Sequence, residues 1–297
     1  MVTRRCAQRT FRLRPSPITN DIVRYCIAFA ASKTGVLIHA VCVMSNHMHI
    51  VLTDVLGRLP DFVRELDRML AKVMNALQGQ WESLWSAEAP HYLELASDED
   101  VVRKMAYVIA NPVAAGLVEH PEQWPGILRW ATSGAIEELA ERPTTFFRAN
   151  GPCPKEVPLV VTAPHDIECL DEQVRAEVER LVGLAHAEMQ QKGIPFLGPQ
   201  RVLKASFRRR ATRMEQKRGI VPRVAAKSMF LRAAVLAAYR GFLTDYHAAM
   251  ARCRGGWRDV VFPDGTWWMR VFHAARGLSD AGPAATVATA GLREAPA

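Results

Sequence analysis

Met44-Ser45-Asn46-His47-Met48-His49-Ile50-Val51-Leu52 places two histidines two residues apart inside a short apolar run. In a β-strand, side chains at i and i+2 project from one face. His47 and His49 therefore stand side by side, while Met48, Ile50 and Leu52 turn to the opposite face and a core. The preceding Val36 to Met44 reads as another strand. With only Ser45-Asn46 between them, the two strands are expected to form an antiparallel hairpin. Two imidazoles on a rigid strand are half of a divalent-metal site, and a third ligand must come from elsewhere in the chain.

Working outward, Thr3 to Leu13 reads as a first strand that contains Arg4 and Arg5 and runs into turn chemistry at Pro15-Ser16-Pro17. Ile22, Val23, Cys26, Ile27 and Ala30 recur at helical spacing from Asn20 to Ser32, with Thr19 or Asn20 as the cap and Gly35 just past the end. Phe62, Leu66, Met69, Leu70 and Val73 give a second helix over Asp61 to Leu77, and Pro90 to Leu95 reads as a short strand. Ser97-Asp98-Glu99-Asp100 opens a third helix, because a capping hydroxyl and acidic first-turn groups satisfy the free amides and the dipole. The order strand–helix–strand–strand–helix–strand–helix predicts an α+β fold, one antiparallel sheet with helices packed on it.

Beyond Trp130 the pattern weakens. Pro143, Pro152, Pro154, Pro158 and Pro164 mark a proline-rich linker over 141–164. A mainly helical region over 165–275 follows, with an acidic helix from His165 to Lys192, a basic stretch from Arg201 to Arg218, a long helix from Lys227 to Arg252 and an aromatic turn over 256–268. The Ala-, Gly- and Pro-rich residues 276–297 read as a disordered tail. No internal repeat is visible.

The net charge is +8, and it is unevenly placed: residues 201–260 hold 15 Lys or Arg against 3 Asp or Glu. Such an excess is expected to meet a polyanion, with Arg208, Arg209, Arg210, Lys217 and Arg218 at its centre. No apolar run reaches the roughly 18 residues that span a bilayer, and no signal-peptide core follows the basic N-terminus. A cytoplasmic protein with no membrane partner is the expectation. The six scattered cysteines include no Cys-x-x-Cys pair and read as reduced thiols.

The third helix carries Tyr107 and Asn111, four residues apart and so one turn apart on one face. Asn111 precedes Pro112, which disfavours helical geometry for it, so the helix is expected to end there. An amide oxygen at a helix end is a reasonable hard ligand for Mg²⁺ or Mn²⁺ beside two imidazoles. Tyr107 could then present its phenol to a phosphodiester polarised by the metal. Each feature alone is weak: His-x-His is common on packed strands, and Asn-Pro is a frequent helix stop.

Two segments, Val43-Met44-Ser45-Asn46-His47-Met48-His49 and Tyr107-Val108-Ile109-Ala110-Asn111-Pro112-Val113-Ala114-Ala115-Gly116-Leu117-Val118, together resemble the single-tyrosine HUH transposases, particularly their REP-associated branch. That branch reads Met-Pro-Asn-His-x-His and then, about sixty residues on, Tyr-Ile-x-x-Asn-Pro-Val-Arg-Ala-Gly. Val2-Thr3-Arg4-Arg5 also resembles its first strand. The likeness covers residues 1–130. It implies a ferredoxin-like antiparallel sheet in a 1–140 catalytic domain, His47, His49 and Asn111 as ligands of Mg²⁺ or Mn²⁺, and Tyr107 as the nucleophile. It also implies a 5′-phosphotyrosine link to single-stranded or hairpin-ended DNA, with a homodimer as an option. Ser45 stands where proline is usual, and Ala114 replaces the usual arginine.

The expected function is thus a metal-dependent DNA strand transferase, with Arg4, Arg5 and the 201–260 stretch holding phosphates. A non-catalytic DNA-binding or regulatory protein on the same scaffold is the alternative. A hydrolase of small phosphoesters would want further Asp or His ligands, and only Asp54 lies close.

Overall fold

β1 (Val2–Arg5) is followed by α1 (Pro17–Thr34), the hairpin β2 (Leu37–Val43) and β3 (His47–Thr53), then α2 (Leu59–Gln78), β4 (His91–Tyr92), β5 (Glu94–Leu95) and α3 (Asp98–Ala114). Three more strands, β6 (Leu128–Trp130), β7 (Ala135–Glu141) and β8 (Glu156–Thr162), precede α4 (Leu170–Lys192) and α5 (Pro199–Lys204). β9 (Val224–Ala225), α6 (Met229–Arg254), β10 (Val261–Phe262) and β11 (Arg276–Gly277) follow among the described residues. The computed structural model describes all residues except 145, 149, 213–221, 264, 265, 267, 268, 270, 271, 274 and 278–297. The expected tail beyond Gly277, and part of the aromatic turn, lie outside the described residues.

The architecture is α+β around a mixed seven-stranded sheet in the order β4–β1–β3–β2–β8–β7, with β6 also paired to β2. The first four strands of this order, β4, β1, β3 and β2, are antiparallel to one another, and β2 and β3 form the expected hairpin, with Val43 opposite Met48 and the Met44 amide donating to the His47 carbonyl at 2.8 Å. Alternation along the strands sorts the core into two layers. Val2, Met48, Ile50, Ile38, Val41 and Val43 face α1 and α2, while Ala40, Cys42, Met44 and Val51 face α3. Burying each large side chain of these layers contributes about 1.5–3 kcal/mol.

Four expectations are corrected. The first strand ends at Arg5 rather than Leu13, because the Cys6 amide turns to the Asn46 carbonyl and the chain enters a tight turn with Gln8 at φ 50° and Arg9 at φ 56°. The cap of α1 is Ser16, whose hydroxyl accepts from the Thr19 amide, because Pro17 fits the first helical position. Gly35 ends this helix as expected, in the left-handed region at φ 73°. The third helix does not stop at Asn111; it runs through Pro112 to Ala114. So close to the end, the proline forfeits only the bond to the Val108 carbonyl, and the buried Val108, Ile109 and Val113 hold the turn in place.

The fourth correction concerns the expected proline-rich linker, part of which is β8. It pairs along its length with β7, adds a parallel pairing at Ile38 and Val161, and buries Val157, Leu159 and Val161 against the α1–α2 layer. The sheet is therefore mixed rather than purely antiparallel. Further on, α4 packs directly on α3, with Leu170, Val174 and Ala185 in one cluster with Val102, Met105 and Val113. All six cysteines are free thiols. Among the described residues no helix is long and apolar enough to cross a membrane.

Candidate active site

β3 lies between β1 and β2, and its odd-numbered residues point at α3. Thr3 stands opposite His49 across β1, Arg5 opposite His47, and Cys42 opposite His49 across β2. The pleat therefore gathers Thr3, Arg5, His47 and His49 on the face that α3 covers. The imidazoles are edge-on, with ring centroids 4.8 Å apart. From α3, the Tyr107 ring meets His49 edge-on at 5.3 Å. The two histidines and the tyrosine, sixty residues apart in sequence, thus form one cluster.

Each histidine has its Nδ1 engaged. Thr3 Oγ1 lies 2.8 Å from His49 Nδ1, and Asn46 Oδ1 lies 2.6 Å from His47 Nδ1. Asn46 Oδ1 can only accept, so His47 carries its proton on Nδ1 and leaves Nε2 as a lone pair; the Thr3 hydroxyl does the same for His49 when it accepts from Nδ1. In His49 that Nε2 is buried without a hydrogen-bond partner. An orphaned nitrogen of this kind costs about 1–3 kcal/mol and calls for an explanation, and a cation is one. Burial, first, and then the neighbouring His47, Arg5 and Lys104 push the His49 pKa well below its ordinary value. The ring is therefore neutral at physiological pH, the state that binds metal.

Tyr107 is 38% exposed, while its helix is anchored by Met105, Val108 and Ile109. Lys104, one turn earlier, holds its ammonium 5.3 Å from the centre of the Tyr107 ring, and burial lowers its pKa. Asn111, one turn later, is 8% exposed. Among the described residues no group of three or more His, Cys, Asp and Glu side chains could hold a metal. A metal held by the two imidazoles would take its further ligand from a group of another type, and the Asn111 amide is the candidate that the sequence offers. Asp54 caps α2, accepting from the Arg58 and Leu59 amides at 2.7 Å each.

The arginines of β1 part company. Arg5 shares the histidine face and is exposed. Arg4, expected to meet phosphate, points the other way and is a structural tie. Its Nε donates to Asp67 at 2.8 Å and its Nη1 to the Glu88 carbonyl at 2.6 Å, with the guanidinium over the Trp85 ring. Strand alternation alone separates the two. Arg208, Arg209 and Arg210 are exposed, and their backbone adjoins the turn after β1. Lys217 and Arg218 lie outside the described residues.

Sequence reasoning passed over Thr3, Lys104 and the polar role of Asn46. Lys104 was in reach of the helical periodicity, three residues before Tyr107. Thr3 depends on a cross-strand register that no local pattern encodes. His39, His91 and His186 are each hydrogen-bonded to backbone carbonyls.

Compared with known proteins, the chain has no matching family model, no significantly similar curated protein and no significantly similar solved structure.

Proposed function

We propose that the chain is a metal-dependent DNA strand transferase of the single-tyrosine HUH kind, acting on single-stranded, hairpin-ended DNA. The observation that carries this reading is the Tyr107 ring set against His49, a neutral, buried imidazole whose Nε2 has no partner. The antiparallel order β4–β1–β3–β2, with a helix between β1 and β2, supports it, since this is the split βαβ arrangement of ferredoxin-like folds.

His47, His49 and Asn111 would hold Mg²⁺ or Mn²⁺, which when bound supplies Lewis-acid polarisation of a phosphodiester. The chain's own residues do the rest. Thr3 and Asn46 orient the two imidazoles, and outer groups of this kind fix ligand geometry. The packing of α3 on the sheet fixes the approach of Tyr107, and the Lys104 ammonium attracts an anionic backbone to it. The Tyr107 oxygen attacks phosphorus and gives its proton to solvent. As the new O–P bond forms, the bond from phosphorus to the 3′ oxygen breaks, and that oxygen leaves with the bonding pair and takes a proton from solvent to become a 3′ hydroxyl. The 5′-phosphotyrosine retains the bond energy, so a second 3′ hydroxyl can displace the tyrosine and rejoin the strand without ATP.

The test is covalent capture. Wild-type protein incubated with end-labelled, hairpin-ended single-stranded DNA and Mn²⁺ should carry label through denaturing electrophoresis, and Tyr107→Phe should carry none. Absence of adduct from wild type on every end offered sinks the transferase reading. DNA binding without adduct would instead favour a regulatory protein on this scaffold.

A further inference from the structure

The +12 stretch does not begin as a separate module. Its first part is stitched into the sheet domain, beside the histidine hairpin. The Phe11 amide donates to the Arg209 carbonyl at 2.8 Å, Thr10 and Arg210 form an antiparallel bridge, and the Ala211 amide donates to the Arg9 carbonyl at 3.3 Å. The Arg14 guanidinium donates to the Leu203 carbonyl. The same Arg9 carbonyl accepts from the Asn46 side-chain Nδ2 at 3.3 Å, and the side-chain oxygen of Asn46 is the one that holds His47. One oxygen atom thus ties Ala211, just after the three arginines, to the turn that orients His47. Gln8 and Arg9 both adopt left-handed backbone conformations in the turn that presents this carbonyl. With the backbone of residues 209–211 so engaged, the side chains of Arg208, Arg209 and Arg210 are exposed, and Arg5 lies exposed at the end of β1 opposite His47.

We propose that Arg208–Arg210 form a clasp that takes the phosphate backbone of the single-stranded DNA substrate where it enters beside His47. The proposal rests on the strand-transferase reading for the identity of the ligand. Three consecutive guanidiniums on a fixed backbone offer delocalised, permanently charged forks suited to successive phosphates. A solvated basic face would not require the backbone on either side of Arg210 to be held by a pair of backbone hydrogen bonds to a loop about two hundred positions earlier. Such contacts set affinity and register and carry no base sequence.

The test is the salt dependence of binding by the full chain. A fluorescein-labelled, hairpin-ended single-stranded oligonucleotide is titrated by anisotropy from about 50 to 200 mM salt. The Arg208→Ala/Arg209→Ala/Arg210→Ala variant keeps every backbone bond of the clasp. It should bind roughly tenfold or more weakly, with the log–log salt slope reduced by about 2, near 0.7 per lost single-strand phosphate contact. The control Arg232→Ala/Arg240→Ala removes two exposed charges of the same basic stretch, on α6, and should leave the slope in place. An unchanged slope in the triple variant, an equal loss in the α6 control, or no salt-dependent binding by wild type overturns the clasp. Should the triple variant fail to fold, three single Arg→Gln variants read the same slope, each expected to lose about 0.7. Tyr107→Phe should retain full affinity. Arginine-dependent binding without adduct leaves the clasp standing and removes the transferase, while adduct with an arginine-independent slope does the reverse.

Discussion

His39 and His49 are buried on neighbouring strands of one sheet, and the difference between them separates scaffold from site. Both nitrogens of His39 are used: Nδ1 faces the Thr162 carbonyl and Nε2 the Thr53 hydroxyl, each at 2.8 Å, at the irregularity where β2 shifts register against β3. His49 uses one nitrogen on Thr3, and its other nitrogen is buried without a hydrogen-bond partner among the described residues. The same contrast runs through the two faces of β1. Arg4 has its donors spent on Asp67 and on backbone carbonyls, whereas Arg5 lies on the histidine face. A buried polar group with all its partners holds a fold together, and one lacking a partner on an otherwise satisfied strand marks where chemistry is expected.

Exchanging the roles of the two histidines breaks the comparison most directly. His49→Ala should lower Mn²⁺ affinity at least a hundredfold by titration calorimetry at a smaller stability cost than His39→Ala, since only the Thr3 hydroxyl loses a partner and an unsatisfied nitrogen leaves with the ring. His39→Ala should do the opposite, leaving Mn²⁺ affinity in place and destabilising the protein by about 2–4 kcal/mol in denaturant unfolding, through two orphaned partners and a cavity. Equal metal affinity in the two variants would erase the distinction. A smaller effect is expected from Thr3→Val, which keeps the shape and removes the Nδ1 partner of His49. Metal affinity should fall about 10- to 100-fold, with recovery in Thr3→Ser.

The smallest effect concerns the scaffold face. Burial raises the Asp67 carboxyl to about 6 despite the Arg4 guanidinium beside it. A carboxyl raised above its unfolded value of 3.8 contributes stability below that value and loses it as pH rises through the folded value. Unfolding free energy should therefore fall between about pH 4 and pH 7, by on the order of 2 kcal/mol from this group. Asp67→Asn should flatten that part of the profile, and an unaltered slope would show that the Arg4 pairing outweighs the burial.

The sheet's first half was legible because its signals are local. Period-2 alternation through His47 to Leu52 placed the hairpin, and caps at Ser97 and Gly35 bounded helices whose apolar spacing was unambiguous. The pairing of His47 with His49 was legible from strand periodicity, and their convergence with Tyr107 followed from the resemblance of the two segments to a known family. β8 was not, although Val157, Leu159 and Val161 alternate as a half-buried strand should. Pro154, Pro158 and Pro164 obscured them, and Pro158 is tolerated because it falls on an exposed position of the outer hairpin, away from the single pairing to β2. The docking of residues 209–211 on the turn after β1 was hidden for a different reason. Pairing between segments two hundred residues apart leaves no periodic trace in either.

The β7–β8 hairpin has a consequence for how copies of the chain meet. In a sheet of only four strands, β2 would present a row of open amides and carbonyls to any passing strand. Here β6 and β8 occupy that row, and the outermost strand becomes β7, with Glu137 and Glu141 exposed along it. A neighbouring chain that tried to extend the sheet would have to lay its backbone against those carboxylates, which guards the edge against runaway strand addition.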